Sequence, residues 1–481
     1  MSDNPLASGA PGASPSPAQQ ASEAESHRRA DAVGIAAGLG GGTTFPIAAT
    51  PTAAEAGAGS ERGVVEEDDR PRVSRRYITF LLLALFGANL AFVTPIAISL
   101  AIQVQNLAPE NVEYLGLVLG LAAGSGVLLA PLFGVLSDRT RSRLGRRRPW
   151  MIIGLIVGLL GLTVLALAPN IVVLAIGWII STLGWGQVIG GLQNSQADRL
   201  PASQRGKVAG LTGVIGQVAP VVGAVAGGGL ASNSFLLFLV PGVVGVVLVL
   251  LFLLFVNEAD SRGMVHEDRL DVRGMLGKYV FQPKRYPDFS WNFVGRFFFF
   301  FGLTLNSTFT AFFIGSKLGL PVDQIGGTIA LLGLLGIVGT MGGAIGGGFL
   351  SDKLRRRRLF VMTGGVIFSA GAVIVAFAPS LEVIIIGSVL SNLGIGIFSA
   401  VDQALVLDVL PERNTQAARF NALNSFSFTL PQALAPLIAP AFLLIGAAAD
   451  GDKNYTPLYL ASAVFTIVGG LVVLAKVKAV R

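Results

Sequence analysis

The sequence predicts an all-α polytopic membrane protein with twelve transmembrane helices in two related six-helix halves. Three observations carry that expectation. Of 481 residues, 52% are hydrophobic and only 13% charged, and the mean hydropathy is +0.68. A soluble domain carries about 25% charge, so this chain is too poor in charge to cover a water-facing surface. Apolar runs of roughly the 20 residues that cross a bilayer recur from Tyr77 onward. Polar landmarks in the first six runs return in the last six at a nearly constant offset.

Residues 1–72 differ in kind from the rest. They are rich in Ala, Gly, Ser, Pro and Thr, and the mildly apolar stretch Ala32–Ala58 is broken by Pro46 and Pro51. Such a segment is too flexible and too weakly apolar to span a membrane, and Met1 is not followed by the charged start and compact apolar run of a signal peptide. The expectation is a disordered cytoplasmic tail.

The spans follow in order. The first half is read as 77–104, 113–136, 150–168, 171–195, 206–230 and 234–256, forming an amino-terminal bundle over 73–256. A polar linker covers 257–289. The second half is read as 291–315, 323–350, 358–378, 381–406, 416–445 and 457–477, forming a carboxy-terminal bundle over 290–481. The 62 glycines fit membrane helices, where small residues let backbones approach closely.

Orientation comes from the connections. Arg139–Arg148, Arg199–Lys207, the region Arg262–Arg285, Lys353–Arg358 and Arg413–Arg419 are basic. The alternate connections, such as Asn106–Glu113, Pro169–Asn170 and Pro379–Ser380, are short and nearly free of Arg. An even number of spans with basic loops on one side puts both termini in the cytoplasm of a cell-membrane protein. The net charge of +7 is thus a topology signal, and no nucleic-acid partner is expected; the lipid bilayer is. Cys is absent and His27 and His266 are the two histidines. That removes thiolate chemistry and argues against a metal site. No catalytic Ser/His/Asp set and no Gly-rich phosphate loop followed by Lys is present. No catalytic residue, cofactor or metal is expected, and a functional monomer is.

The repeat is specific. The second span ends Gly134-Val-Leu-Ser-Asp138 and the eighth Gly348-Phe-Leu-Ser-Asp352, 214 residues apart. The fourth exits through Asp198-Arg-Leu-Pro201 and the tenth through Asp408-Val-Leu-Pro411, 210 apart. Gln217 precedes Pro220 as Gln432 precedes Pro436. Parallel six-helix repeats place a binding site between halves, near the midplane. Asp138 lies at the carboxy end of a helix, where the dipole disfavours a carboxylate, so it needs a cation or another helix's amino end as partner.

The run Gly134-Val-Leu-Ser-Asp-Arg-Thr-Arg-Ser-Arg-Leu-Gly-Arg-Arg-Arg-Pro149 resembles the signature loop of the major facilitator superfamily. Its long form is similar to that of the sucrose/proton symporters and the glycoside–pentoside–hexuronide cation symporters. The resemblance covers about 76–481. It implies the major facilitator fold, alternating access, and a latch comprising Gly134, Asp138, Arg139 and Arg146 with its mirror Gly348, Asp352 and Lys353. It further implies that Asp138 meets the amino end of the eleventh helix and Asp352 that of the fifth. Arg146, Arg147 and Arg148 are read as topology determinants touching lipid phosphates.

Ionisable groups at membrane depth are functional candidates. Asp402, about two turns inside the tenth span, is the coupling candidate. Arg296, one to two turns inside the seventh, is its partner or a ligand for a substrate hydroxyl. The alternatives are a structural Asp402–Arg296 pair and an Arg296 that snorkels to water. The branch's acidic coupling positions lie in the first half, whereas the first span here has Asn89, Thr94 and Pro95 and no carboxylate. That departure leaves the coupling cation, a proton or another, open. Asn89, Gln187, Gln193, Asn194, Gln217, Asn306, Gln403, Asn424 and Gln432 are candidates for binding a small hydroxyl-rich solute, since they offer donors and acceptors without charge; helix–helix hydrogen bonding is the plainer role for each. Trp185 is a candidate to stack on a sugar's apolar face, with a place in the interfacial aromatic belt as the alternative. The expected function is cation-coupled uptake of a sugar or similar solute. The alternative is proton-antiport efflux of drugs or metabolites, to which Phe297–Phe301 would contribute apolar lining, although a lipid-facing surface is a simpler account of that run.

Overall fold

The computed structural model describes residues 71–258, 260–263, 282–412, 416–446 and 453–478. All but the last two residues of the expected tail, and much of the linker, lie outside them. The helices are α1 Arg75–Leu107, α2 Tyr114–Asp138, α3 Arg148–Ala166, α4 Ile171–Arg199, α5 Ala202–Leu230, α6 Ser234–Phe255, α7 Pro287–Thr308 with Thr310–Leu318, α8 Gly326–Leu354, α9 Arg357–Ala376, α10 Leu381–Val409, α11 Ala417–Leu443 and α12 Thr456–Lys476. Eleven of these are long and apolar enough to cross a membrane, and the two segments of α7, bent by 43°, make a twelfth. Several run beyond the apolar windows: α4, α8 and α10 continue to Arg199, Leu354 and Val409. A helix satisfies its own backbone, so it needs no lipid to continue into the polar boundary.

Local sequence sets the starts and bends. Asn170 accepts from the Val173 N–H and Asn233 from the N–H groups of Phe235 and Leu236, capping α4 and α6. Pro95 opens a π-helical turn, Pro95–Ser99, inside α1, and Pro431, Pro436 and Pro440 lie within α11. Proline removes an intrahelical donor, and in membrane helices neighbours make good the loss.

Small residues position the helices inside each half, in the same places in both. A Cβ on Gly184 would lie 2.2 Å from the Gly158 nitrogen, and one on Gly161 would lie 2.3 Å from the Ser181 nitrogen. These close α3 on α4. In the second half a Cβ on Gly394 would lie 2.4 Å from the Phe368 nitrogen, and one on Gly371 would lie 2.4 Å from Ser391 Oγ. These close α9 on α10, 210 residues later. Between apolar helices in lipid, such close backbone approach is a main source of attraction.

The halves meet at the short-loop end. A Cβ on Gly116 would lie 2.3 Å from the Pro436 carbonyl oxygen, joining α2 to α11; one on Gly326 would lie 2.6 Å from the Gly228 Cα, joining α8 to α5. The Lys453 ammonium lies 3.1 Å from a Glu113 carboxylate oxygen, and the Val322 N–H donates to Gln105 Oε1 at 3.0 Å. One apolar core runs through the first half and into Phe309, Phe312, Phe313, Ile384 and Tyr459 of the second. Toward the basic end the second half keeps separate cores of its own, around Phe299 with Phe398 and around Phe289 with Phe420. There, a Cβ on Gly134 would have no neighbour within 4 Å. The halves are closed at the short-loop end and part toward the basic end.

The run Phe297–Phe301 is not the lipid-facing surface the sequence pointed to. Phe299 is fully buried and stacks flat on Phe398 of α10 with centroids 3.4 Å apart. Phe298 stacks on Phe465 of α12, and Phe300 meets Phe428 of α11 edge-on at 4.6 Å. Five consecutive rings point all round the helix, and α7 has packing partners on several sides.

Candidate functional site

Two features stand out: a pair of ion clusters at the basic end, and a buried ion pair in the second half.

In the first cluster the Arg147 guanidinium lies 2.6 Å from Asp138 and 3.5 Å from Asp198, while Arg146 lies 2.8 Å from Asp198. Arg147 is 6% exposed. The expectation that Arg146 and Arg147 reach lipid phosphate is therefore corrected: their charges turn inward, toward acids at the ends of α2 and α4. Burial pushes the Arg146 guanidinium down, but the hydrogen bond to Asp198, with Asp138 and Glu258 nearby, leaves it above its ordinary value. In the second half Arg357 stands 210 residues after Arg147. It pairs with Asp408 and lies 3.4 Å from Asp352. With the basic end parted, the latch acids Asp138 and Asp352 thus pair within their own halves rather than with α11 and α5. The physical reason is the parted basic end: each helix-terminal carboxylate takes the nearest cation. The spacing of Arg147 and Arg357 was the sequence signal for both hubs, since it matches that of Asp198 and Asp408.

Sequence reading also missed Glu258. Its carboxylate accepts from the N–H groups of Arg146, Arg147 and Arg148 at 3.1–3.2 Å. It caps the amino end of α3, where a negative charge is favoured. Gly145, at φ 89°, makes room: a Cβ there would lie 2.4 Å from the Glu258 carboxyl carbon. Ser261 fastens the linker further, its N–H donating to the Ser142 carbonyl and its hydroxyl to the Thr140 carbonyl.

The buried pair joins Arg296 of α7 to Asp402 of α10. Asp402 is 3% exposed. Arg296 Nε also donates to Ser427 Oγ at 3.0 Å, the guanidinium lies 5.5 Å from the Phe300 ring centre, and Ser427 donates to the Asn424 carbonyl at 2.6 Å. Asp402 Oδ1 and Asn424 Oδ1 are buried without hydrogen-bond partners among the described residues. Fully buried Asn292 stands one turn before Arg296, with both side-chain polar atoms unpartnered among the described residues; its i, i+4 spacing from Arg296 was legible and went unused. Asp402 is seven residues from the basic end of α10 and Arg296 nine from that of α7, about 10 and 13 Å along the helices. Because α7 begins at Pro287, Arg296 is deeper than sequence reading placed it, and its charge is spent on Asp402 rather than on water.

Other candidates are placed differently. Trp185 is fully buried between α3 and α6: a Cβ on Gly158 would touch its Nε1 at 2.9 Å, and one on Gly245 its Cη2 at 2.8 Å. It is core packing, which corrects its reading as a stacking platform for substrate. Asn89 is half-buried and donates to the Leu85 carbonyl of its own helix. Asn306 is half-buried at the bend of α7, its carbonyl accepting from the Thr310 hydroxyl. Gln187, Gln193, Asn194, Gln217, Gln403 and Gln432 are half-buried. Of the binding candidates, Asn424 joins the Arg296–Asp402 pair, through Ser427.

Outside the spans, Tyr286 donates to Glu412. That hydrogen bond holds the phenol above its ordinary pKa.

The fold and its repeat define an all-helical chain of two six-helix halves, with helices long and apolar enough to cross a membrane. The Major Facilitator Superfamily model matches residues 77–347 and 340–480, and the chain belongs to that family. Stretches resemble the general alpha-glucoside permease of Schizosaccharomyces pombe, 31% identical over 107 residues, 21% of this chain and 18% of the permease. Another is similar to the galactose-proton symporter of Escherichia coli K12, 38% identical over 71 residues, 15% of each. These matches span less than a fifth of the relatives' own length. Among solved structures, nucleoside transporter NupG shares the fold at TM-score 0.62 and 12% identity, over 84% of this chain and 99% of that one. A bacterial homolog of the human lysosomal transporter Spinster, inward-facing and unoccupied, does so at 0.61 and 18%, over 83% and 95%.

Proposed function

We propose that this protein is a secondary active transporter that takes up a neutral sugar or similar polyhydroxy solute with a cation, a proton foremost, by alternating access. Burial of Asp402 with Arg296 at membrane depth carries the reading. A buried ion pair is expensive, and ionisable groups inside a membrane mark ion and substrate pathways. Protonating Asp402 would neutralise it and free the Arg296 guanidinium, whose several donors suit hydroxyl oxygens. Asn424 and Ser427 beside it add neutral polar groups. The short resemblances to a galactose-proton symporter and an alpha-glucoside permease support the cargo class. The asymmetry of basic loops supports a cytoplasmic basic end and cytoplasmic termini in the cell membrane. On that orientation the parted basic end is an inward-open state. The protein works as a monomer on this reading, each chain holding both halves. The alternative of drug efflux drew on Phe297–Phe301, and those rings are occupied in helix packing.

Purified protein in liposomes is expected to accumulate a neutral saccharide when an inward proton gradient is imposed. Uptake indifferent to a protonophore would remove the proton, and no uptake across a broad panel of sugars and polyols would remove the cargo.

A further inference from the structure

The amino ends of α3 and α9 are equivalent positions in the two halves, and they differ in one respect. At α3 the first N–H groups are taken by the Glu258 carboxylate. At α9 the capping residue is Arg356, whose side chain has no acceptor to offer and whose N–H donates to the Ser351 carbonyl, while no carboxylate among the described residues takes the N–H groups of Arg357 and Arg358. The described residues that follow α12, Val477 and Lys478, include no acid. A cavity of about 1290 Å³ opens at this place, lined by Ser351, Asp352, Arg355–Arg358 and Asp408 among others. Its two acids both pair with Arg357. Arg358 donates to the Val477 carbonyl. Lys353, Arg355 and Arg356 are exposed, and no carboxylate among the described residues pairs with them.

Ser351 adds an independent sign. It lines the cavity, is 2% exposed, and its hydroxyl has no partner among the described residues. Its repeat counterpart Ser137 accepts from Arg147, which also pairs with two acids; Arg357 pairs with its two acids and leaves Ser351 unpartnered. The cavity lies at the basic end, and exposed Leu354 and Leu359 are part of its lining.

We propose that this cavity binds the phosphate group of an anionic phospholipid, which does for α9 what the Glu258 carboxylate does for α3. Helix amino ends and clustered arginines both select phosphate, and basic pockets at the ends of membrane helices hold anionic headgroups. The exposed Leu354 and Leu359 side chains favour a lipid over a free anion, because acyl chains can lie against them.

The test is native mass spectrometry of the full chain titrated with phosphatidylglycerol, phosphatidylcholine or inorganic phosphate. Arg355 has a left-handed backbone, φ 51°, which Asn tolerates. Arg355→Asn with Arg356→Gln is expected to weaken phosphatidylglycerol binding roughly ten-fold, since each basic residue near an anionic headgroup adds appreciably. Arg141→Asn with Arg143→Gln, exposed arginines of the first half, removes equal charge and is expected to change it less than two-fold. Equal losses in the two variants would reduce the effect to general surface charge and overturn the site. Phosphatidylcholine binding as tightly as phosphatidylglycerol would also overturn it. Inorganic phosphate binding as tightly as the lipid, with the same dependence on Arg355 and Arg356, would overturn the lipid assignment. The readout is lipid binding, so the cargo and its coupling do not enter.

Discussion

At Asp402, removing the charge leaves the Arg296 guanidinium buried without its carboxylate. Breaking one side of such a pair costs about 3–5 kcal/mol. Asp402→Asn is expected to lower the thermal midpoint in detergent and to abolish gradient-driven uptake while sparing exchange. The double variant Asp402→Asn with Arg296→Gln removes both charges and is expected to recover much of the stability without recovering driven uptake. That split separates coupling from structure. Full driven uptake in the double variant would leave the pair a purely structural one. At this scale the sequence marked Asp402 and Arg296 because charges within apolar runs are conspicuous. Trp185 misled, because a Trp on a membrane helix looks alike whether it faces a cavity or, as here, two glycines of neighbouring helices.

Among the elements, the α3–α4 contact tests how much close approach contributes. Gly184→Val would place side-chain atoms inside the backbone of Gly158. The cost is expected to exceed the 1–3 kcal/mol usual for overpacking, read as lost folded yield and a lower thermal midpoint. Gly190→Ala on the same helix, where a Cβ meets nothing within 4 Å, is the control and is expected to be neutral. The cap on α3 is a second test. Glu258→Ala strips a carboxylate from three backbone donors and is expected to cost about 1–2 kcal/mol. It should also free the start of the linker, seen as faster protease cleavage near Ser261. An unchanged cleavage rate would mean that Ser261 alone holds the linker on the α2–α3 loop.

For the whole molecule, the contacts at the short-loop end predict a gate. Glu113 and Lys453 lie on opposite halves and touch. The chain has no Cys, so Glu113→Cys with Lys453→Cys creates the one thiol pair in the protein. Joining it with a short bis-maleimide linker is expected to trap the halves as they stand and to stop transport, with either single variant unaffected by the reagent. Transport surviving in the cross-linked protein would show that the short-loop end need not open. The twelve spans and their twofold repeat were readable in advance because they rest on hydropathy and on marker residues spaced 210–214 apart. Which end of the bundle closes was not, since glycines at Gly116, Gly134 and Gly228 look alike in sequence, while Gly116 and Gly228 meet the other half and Gly134 meets nothing.

The amino-acid sequence by itself determined the all-helical membrane class, the order of the spans, the repeat and the scarcity of charge at membrane depth. Each of these follows from transfer energies and helix geometry, which act on residues singly or over a few turns. The tertiary structure decided which charges meet. It gave Arg147 and Arg357 to the acids of their own halves, turned Phe297–Phe301 into packing, buried Trp185, and, among the described residues, capped α3 but not α9 with a carboxylate. Those outcomes depend on residues from five to more than a hundred positions apart sharing one place, and an ion pair is selected by distance and burial, not by residue type alone.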